Sequence, residues 1–196
     1  MANKYMDSTL LDRAIIYAVK AHANTERRNK GFPYIVHPME AMAIAATITP
    51  DQEVLSAAAL HDVVEDTDCT IEELRSEFGD RIADLVESES DKYTGSASGT
   101  DIWRESKQAA IERLAKADRD SKIVALGDKL SNMRAIARDF DQIGNKIWER
   151  FHAPEPQDHE WRYRGLAASL SELSDTAAYK EFVELIDRVF TKAFHS

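Results

Sequence analysis

An all-α, single-domain fold is what the sequence predicts, and three observations predict it. Only seven Gly and five Pro punctuate the 196 residues. Between them the apolar residues recur at three- and four-residue spacing, the mark of buried helix faces, and no convincing strand run appears. A chain of this length with 43% hydrophobic residues can bury one real core, whereas two full domains would be a squeeze. The expectation is therefore one helical bundle over residues 1–196, with a core over about 8–175 and a closing helix over 176–192.

In "LLDRAIIYAVKAH" the positions Leu11, Ala14, Ile15, Ala18 and His22 form one apolar face, so His22 reads as a packed, hydrogen-bonded histidine. A polar, basic connection, "ANTERRNKGFPYIVHP", leads to the helix "MEAMAIAATI", with Pro38 in its first turn and His37 at its mouth. The next helix, "TPDQEVLSAAALHDVVED", carries a start signal of Thr49 as cap, Pro50 at the first position and Gln52 closing a capping box. "TIEE" at Thr70 to Glu73 repeats the box and opens a helical stretch with a break expected at Gly79. Residues 92–101, "KYTGSASGTD", read as a flexible surface loop. "WRESKQAAIERLAKA" and "SKIVALGDKLSNMRAIARDF" are helical; "HAPEPQDH" interrupts before the last two helices.

Charge and cysteine content narrow the function. With 25 Lys and Arg against 35 Asp and Glu, the net charge of −10 argues against a nucleic-acid polymer as partner. A small anionic substrate stays open, since a bound metal can reverse the local field. The single cysteine, Cys69, allows neither a disulfide nor a thiolate metal site. The N-terminus lacks a signal-peptide apolar region and no segment is apolar enough for a membrane span, so a soluble, cytoplasmic protein is expected.

The chemistry concentrates in three places. On the helix after Pro50, residues four apart form one row of Val54, Ala58, His61 and Glu65 and a neighbouring row of Leu55, Ala59, Asp62 and Asp66. Both rows begin apolar and end ionisable. A buried, unpaired acid costs several kcal/mol or shifts its pKa until neutral, so a cation or donor must face these groups. In "ALGDKLSNMR", Ile123, Leu126, Leu130, Met133 and Ala137 make an apolar face, and Asp128 and Asn132 lie beside it. An ion pair of Asp128 with Lys129 or Arg134 is the plain alternative, but it leaves Gly127 and Asn132 unexplained. His37 in "PYIVHP" is the third; a capping or packing role is its alternative. Two imidazoles and two carboxylates make an N2O2 set suited to Mn²⁺, Fe²⁺, Zn²⁺ or Mg²⁺.

"PYIVHP", "ALHDVVEDTD" and "DKLSNMR", in this order and at these separations, resemble the HD-domain metal-dependent phosphohydrolases, specifically the hydrolase domain of RelA/SpoT-type alarmone enzymes. The resemblance spans residues from about 10 to 175 and includes no synthetase or regulatory part, so the chain looks like a stand-alone small alarmone hydrolase. It implies that His37, His61, Asp62 and Asp128 hold one divalent metal, usually Mn²⁺. Glu65 and Asp66 match the pair that orients or deprotonates the attacking water, Asn132 the nucleotide-contacting asparagine, and Arg28 the basic residue before the Gly-x-Pro-Tyr turn. Tyr163 falls where the family has an aromatic facing the nucleotide. Arg27, Arg28 and Lys30 are candidate phosphate clamps. The implied reaction converts a nucleotide 3′-diphosphate, ppGpp, pppGpp or an adenosine counterpart, to pyrophosphate and the 5′-phosphorylated nucleotide. The text "AHANTERRNKGFPY" departs from the family, with Asn29 where a lysine is expected, which bears on base and phosphate preference. Rival readings are another HD-type phosphohydrolase, acting on a nucleoside 5′-monophosphate or NADPH, a nucleotide-binding module without turnover, and an all-helical interaction protein.

Overall fold

A computed structural model describes residues 8–27, 30–89, 100–151, 153 and 155–195. Among them ten α-helices and two 3-10 helices occur and no strand, only an isolated bridge between Glu26 and Pro33. None of these helices is long and apolar enough to cross a membrane. The chain divides into two compact units, residues 1–90 with 118–131, and residues 91–117 with 132–196.

The first unit holds α1 (Ser8–Ala21), α2 (Val36–Ala45), α3 (Gln52–Leu60), α4 (Val63–Asp66), α5 (Ile71–Phe78), α6 (Asp80–Glu89) and the first half of α8 (Arg119–Ile143). Its centre is α3, every residue of which from Val54 to Leu60 is buried. Alanines explain how neighbours close on it. Ala57, Ala58 and Ala59 present little side chain, α1 and α2 pack against α3, and their Ala14, Ala18, Ala41 and Ala45 are fully buried. The Thr70–Glu73 capping box forms as expected, and α5 ends at Gly79, whose φ of 89° suits a residue without a Cβ.

Several boundaries differ from the expectation. Asp51, not Thr49, caps α3, its carboxylate accepting from the Glu53 amide at 2.9 Å, while Thr49 Oγ1 accepts from the Asp51 amide. An acid two residues nearer the helix serves its free amides better than a hydroxyl. His37 is the second residue of α2 rather than its cap. Most consequentially, the helix begun at Gln52 does not run on to Asp66: it stops at Leu60, and His61 and Asp62 form a turn before α4. His61 Nδ1 donates to the Ala58 carbonyl at 2.8 Å, the acceptor that a continuing helix assigns to the Asp62 amide.

The second unit holds α7 (Thr100–Lys116), the second half of α8, a 3-10 helix (Gly144–Arg150), α9 (Pro156–Ser169), a short 3-10 turn (Ser171–Leu173) and α10 (Ala177–His195). Its core centres on Trp148, Phe182, Phe190, Leu170 and Leu173, all almost fully buried. The closing helix expected at 176–192 is α10. The expected loop at 92–101 lies outside the described residues as far as residue 99, and its last two positions already belong to α7.

Candidate metal centre

Four side chains of the first unit converge: His37 from α2, His61 and Asp62 from the turn after α3, and Asp128 from α8. Gly127 makes this possible. A Cβ there would stand 2.6 Å from the Ala41 carbonyl oxygen, so only glycine lets α8 lie this close to α2. Ala41 is one turn beyond His37 and Ser131 one turn beyond Gly127, so the close approach sets His37 against both Asp128 and Ser131. His37 Nε2 is 3.1 Å from Asp128 Oδ1, and His37 Nδ1 is 2.8 Å from Ser131 Oγ.

The hydrogen bonds behind the two rings settle which nitrogen faces the centre. Ser131 Oγ donates to Glu40 Oε2 at 2.8 Å, which leaves it an acceptor for His37 Nδ1–H. His61 Nδ1–H is likewise committed to a carbonyl, that of Ala58. Both rings therefore turn an Nε2 inward, the arrangement in which a metal-binding histidine is oriented from behind. His61 Nε2 lies 3.1 Å from Asp62 Oδ2 and 3.7 Å from Asp128 Oδ1, and His37 Nε2 lies 3.4 Å from Asp62 Oδ2. Ligand atoms around an ion bonded at roughly 2.1 Å stand roughly 3.0 to 3.4 Å apart, so these spacings suit one shared cation.

The centre is well shielded, with side-chain exposures of 2% for His61, 3% for His37, 9% for Asp128 and 16% for Asp62. Burial favours neutral groups, yet the opposed charges win. Burial lowers the His61 pKa, but the Asp62 and Asp128 carboxylates outweigh it and hold the imidazole well above its ordinary value. Burial likewise raises Asp128 less than Lys129, His37 and His61 lower it, and Asp62 is held down by His61 in the same way. The same carboxylates that favour a charged imidazole would favour a divalent cation beside it. His61 Nε2 is also a buried nitrogen without a hydrogen-bond partner among the described residues. An unpartnered buried ring nitrogen, a second imidazole and flanking carboxylates fit a divalent metal, and one atom each of His37, His61 and Asp128 lies within 4.8 Å of the others.

Tyr34, not singled out in the sequence, donates to Asp62 Oδ2 at 2.7 Å. Burial first, then the Asp62 and Asp66 carboxylates, push its phenol above its ordinary pKa, so it stays a donor. His22 packs on the Tyr34 ring, centroids 4.9 Å apart, and is 3% exposed. The expected hydrogen bond to His22 is not there: both ring nitrogens are buried without a partner among the described residues, and burial lowers its pKa.

Glu65 and Asp66 lie exposed on α4, which follows His61 and Asp62 directly. Arg27 holds its guanidinium over the Tyr34 ring, 5.2 Å from the centroid, and the Lys30 amide donates to the Arg27 carbonyl at 2.9 Å. Arg28 lies outside the described residues, with Asn29. Asn132 and Tyr163 belong to the second unit. Asn132 is half-buried on α8, and Tyr163, 5% exposed, packs near Phe182 and Phe190 with Arg162 over its ring.

Residues 14–155 match the family described as HD domain, most of the chain and all four converging residues. The chain belongs to the HD domain family. Among curated relatives, this HD domain is 37% identical over 135 residues to a guanosine-3′,5′-bis(diphosphate) 3′-pyrophosphohydrolase of Danio rerio, covering 67% of the chain and 71% of that protein. It is 36% identical over 129 residues to a probable enzyme of the same name in Synechocystis, covering 65% of the chain but 17% of the relative. With the bifunctional (p)ppGpp synthase/hydrolase SpoT of Escherichia coli the identity is 31% over 192 residues, 93% of the chain and 26% of the relative. The HD domain thus spans about a quarter or less of the length of these two bacterial relatives. A solved structure described as a metazoan ortholog of SpoT that hydrolyses ppGpp superposes with a TM-score of 0.69 at 26% identity, over 93% of this chain and 96% of that one.

Proposed function

We propose that this HD domain is a cytoplasmic hydrolase that cleaves a nucleotide 3′-diphosphate of the guanosine 3′,5′-bis(diphosphate) type to pyrophosphate and the 3′-hydroxyl nucleotide, using Mn²⁺. The observation that carries the reading is the convergence of two inward-turned imidazoles and two carboxylates, with Glu65 and Asp66 on the next turn. The relatives and the solved structure, named for this reaction, support it.

A divalent ion bound there would supply positive charge that acidifies water and offsets phosphoryl charge. The protein's own groups do the rest. His37, His61, Asp62 and Asp128 would hold the ion, the first two oriented by Ser131 and Ala58. Glu65 and Asp66 take the proton released as water attacks the phosphorus, and the departing 3′-oxygen is protonated to the hydroxyl. Arg27, Arg28 and Lys30 clamp the phosphates, and Asn132 contacts the nucleoside. Tyr163, 5% exposed, is the aromatic proposed to face the nucleotide.

The test is product analysis of the purified protein with Mn²⁺ and a panel of guanosine and adenosine 3′-diphosphates, nucleoside 5′-monophosphates and NADPH. Pyrophosphate released from a 3′-diphosphate is the expected result; orthophosphate from the monophosphates or NADPH alone overturns it. Asp62→Ala and Asp128→Ala lose metal and turnover together, whereas Glu65→Ala keeps metal and loses turnover.

A further inference from the structure

We propose that Lys129, anchored by Glu89, selects among divalent ions at the HD centre by withholding one oxygen of Asp128. The inference rests on the metal reading above and concerns two residues to which that reading gives no role.

The two oxygens of Asp128 face different partners. Oδ1 points to the imidazoles, 3.1 Å from His37 Nε2 and 3.7 Å from His61 Nε2. Oδ2 accepts from Lys129 Nζ at 2.5 Å. Lys129 is in turn held by Glu89 Oε2 at 3.2 Å. The side chains of Asp128, Lys129 and Glu89 are 9%, 17% and 7% exposed, so this is a buried carboxylate–ammonium–carboxylate row rather than a surface pair. Burial raises the Glu89 pKa and the Lys129 ammonium lowers it. With Glu89 behind it, the ammonium cannot swing out to solvent without stranding a buried acid.

Asp128 is thereby restricted to one-oxygen ligation. Calcium gathers six to eight oxygens and commonly takes carboxylates through both, whereas smaller ions bound by imidazole are content with one. The row therefore biases the centre toward Mn²⁺-sized ions and against Ca²⁺. Both residues act through Asp128 and are positioning residues.

The test is calorimetric titration of the metal-free full chain with Mn²⁺ and, separately, Ca²⁺. Removing the lysine charge strengthens binding of both cations, so the ratio of the two dissociation constants is the readout. In Lys129→Met the preference for Mn²⁺ over Ca²⁺ falls about tenfold, the low end of effects from groups behind a ligand. Glu89→Gln shifts it the same way by less, and Lys129→Arg restores it. If Lys129→Met does not fold, Glu89→Gln and Lys129→Arg decide. An unchanged ratio in the folded variants, with wild-type Mn²⁺ binding intact, overturns the inference and leaves the metal centre standing; a wild-type chain that binds neither ion overturns both.

Discussion

Gly127→Ala adds a single methyl group at the point where α2 and α8 touch, and its effect is set by backbone geometry. The new Cβ falls 2.6 Å from the Ala41 carbonyl oxygen and 3.2 Å from its carbon, both backbone atoms that no rotamer change can remove. The helices must part by roughly 1 Å before the contact becomes ordinary. On intrinsic grounds the exchange should help, since alanine in a helix is favoured over glycine by about 1 kcal/mol. Overpacking opposes this at about 1–3 kcal/mol, so the variant is destabilised by about 1 kcal/mol net. The larger effect lies in the centre: His37 rides on α2 and Asp128 on α8, and parting the helices lengthens the 3.1 Å between His37 Nε2 and Asp128 Oδ1. Misplacement of about 1 Å can cost about a hundredfold in turnover. Thermal melts with and without Mn²⁺, metal titration and turnover form the assay. A variant that melts higher than wild type and binds Mn²⁺ equally well refutes the reasoning, because propensity alone would then describe the site.

Two other outcomes are expected from hydrogen bonding and burial. Ser131→Ala removes the acceptor that holds His37 Nδ1–H and is expected to weaken Mn²⁺ binding about tenfold or more, while Ser131→Thr keeps it; equal affinities by titration would show that the ring is held by packing alone. His159, stacked on Trp148 at 5.2 Å and donating to the Ala153 carbonyl, has its pKa lowered by burial. The unfolded chain then binds the proton more readily, so this contribution to stability is complete above the ordinary value of 6.5 and is lost as pH falls below it toward the folded value. His159→Phe flattens the fall in melting temperature between about pH 8 and about pH 5 without abolishing it, since His22 acts in the same direction. Parallel melting curves across that range for wild type and variant count against this assignment.

The helical class and the converging segments are legible in the sequence because ionisable residues appear at the edges of apolar stripes. Asp128 comes one turn after Val124 on α8, and His61 comes three residues after Ala58 at the end of α3. The rows through Glu65 and Asp66, however, assume one continuous helix, whereas α3 ends at Leu60. The apolar period persists across the turn because Val63 is buried as Leu60 is, and the break is accompanied by a side-chain bond, from His61 to Ala58, that a pattern of apolar positions does not encode. Tyr34 and Ser131 stand inside the motifs "PYIVHP" and "DKLSNMR", but their roles depend on partners 28 and 94 residues away. Glu89 carries no signal in the sequence, being an acid at the end of a mixed helix whose lysine is 40 residues distant. Gly127 is visible as an oddity on an apolar turn; the carbonyl it admits is not.

The turn at His61 and Asp62 bears on how the proposed metal centre would grip an ion. Successive side chains on an α-helix diverge by about 100°, so neighbours on an unbroken helix do not aim at one point. Here the chain leaves the helix at this dipeptide, and its two donors come to rest 3.1 Å apart. In the proposed centre they would act as a chelate whose bite is set by a single peptide unit and whose first arm is anchored to the Ala58 carbonyl of α3. The entropy lost in gathering these donors is therefore lost when the helix folds, and an ion bound as proposed would meet donors already in place.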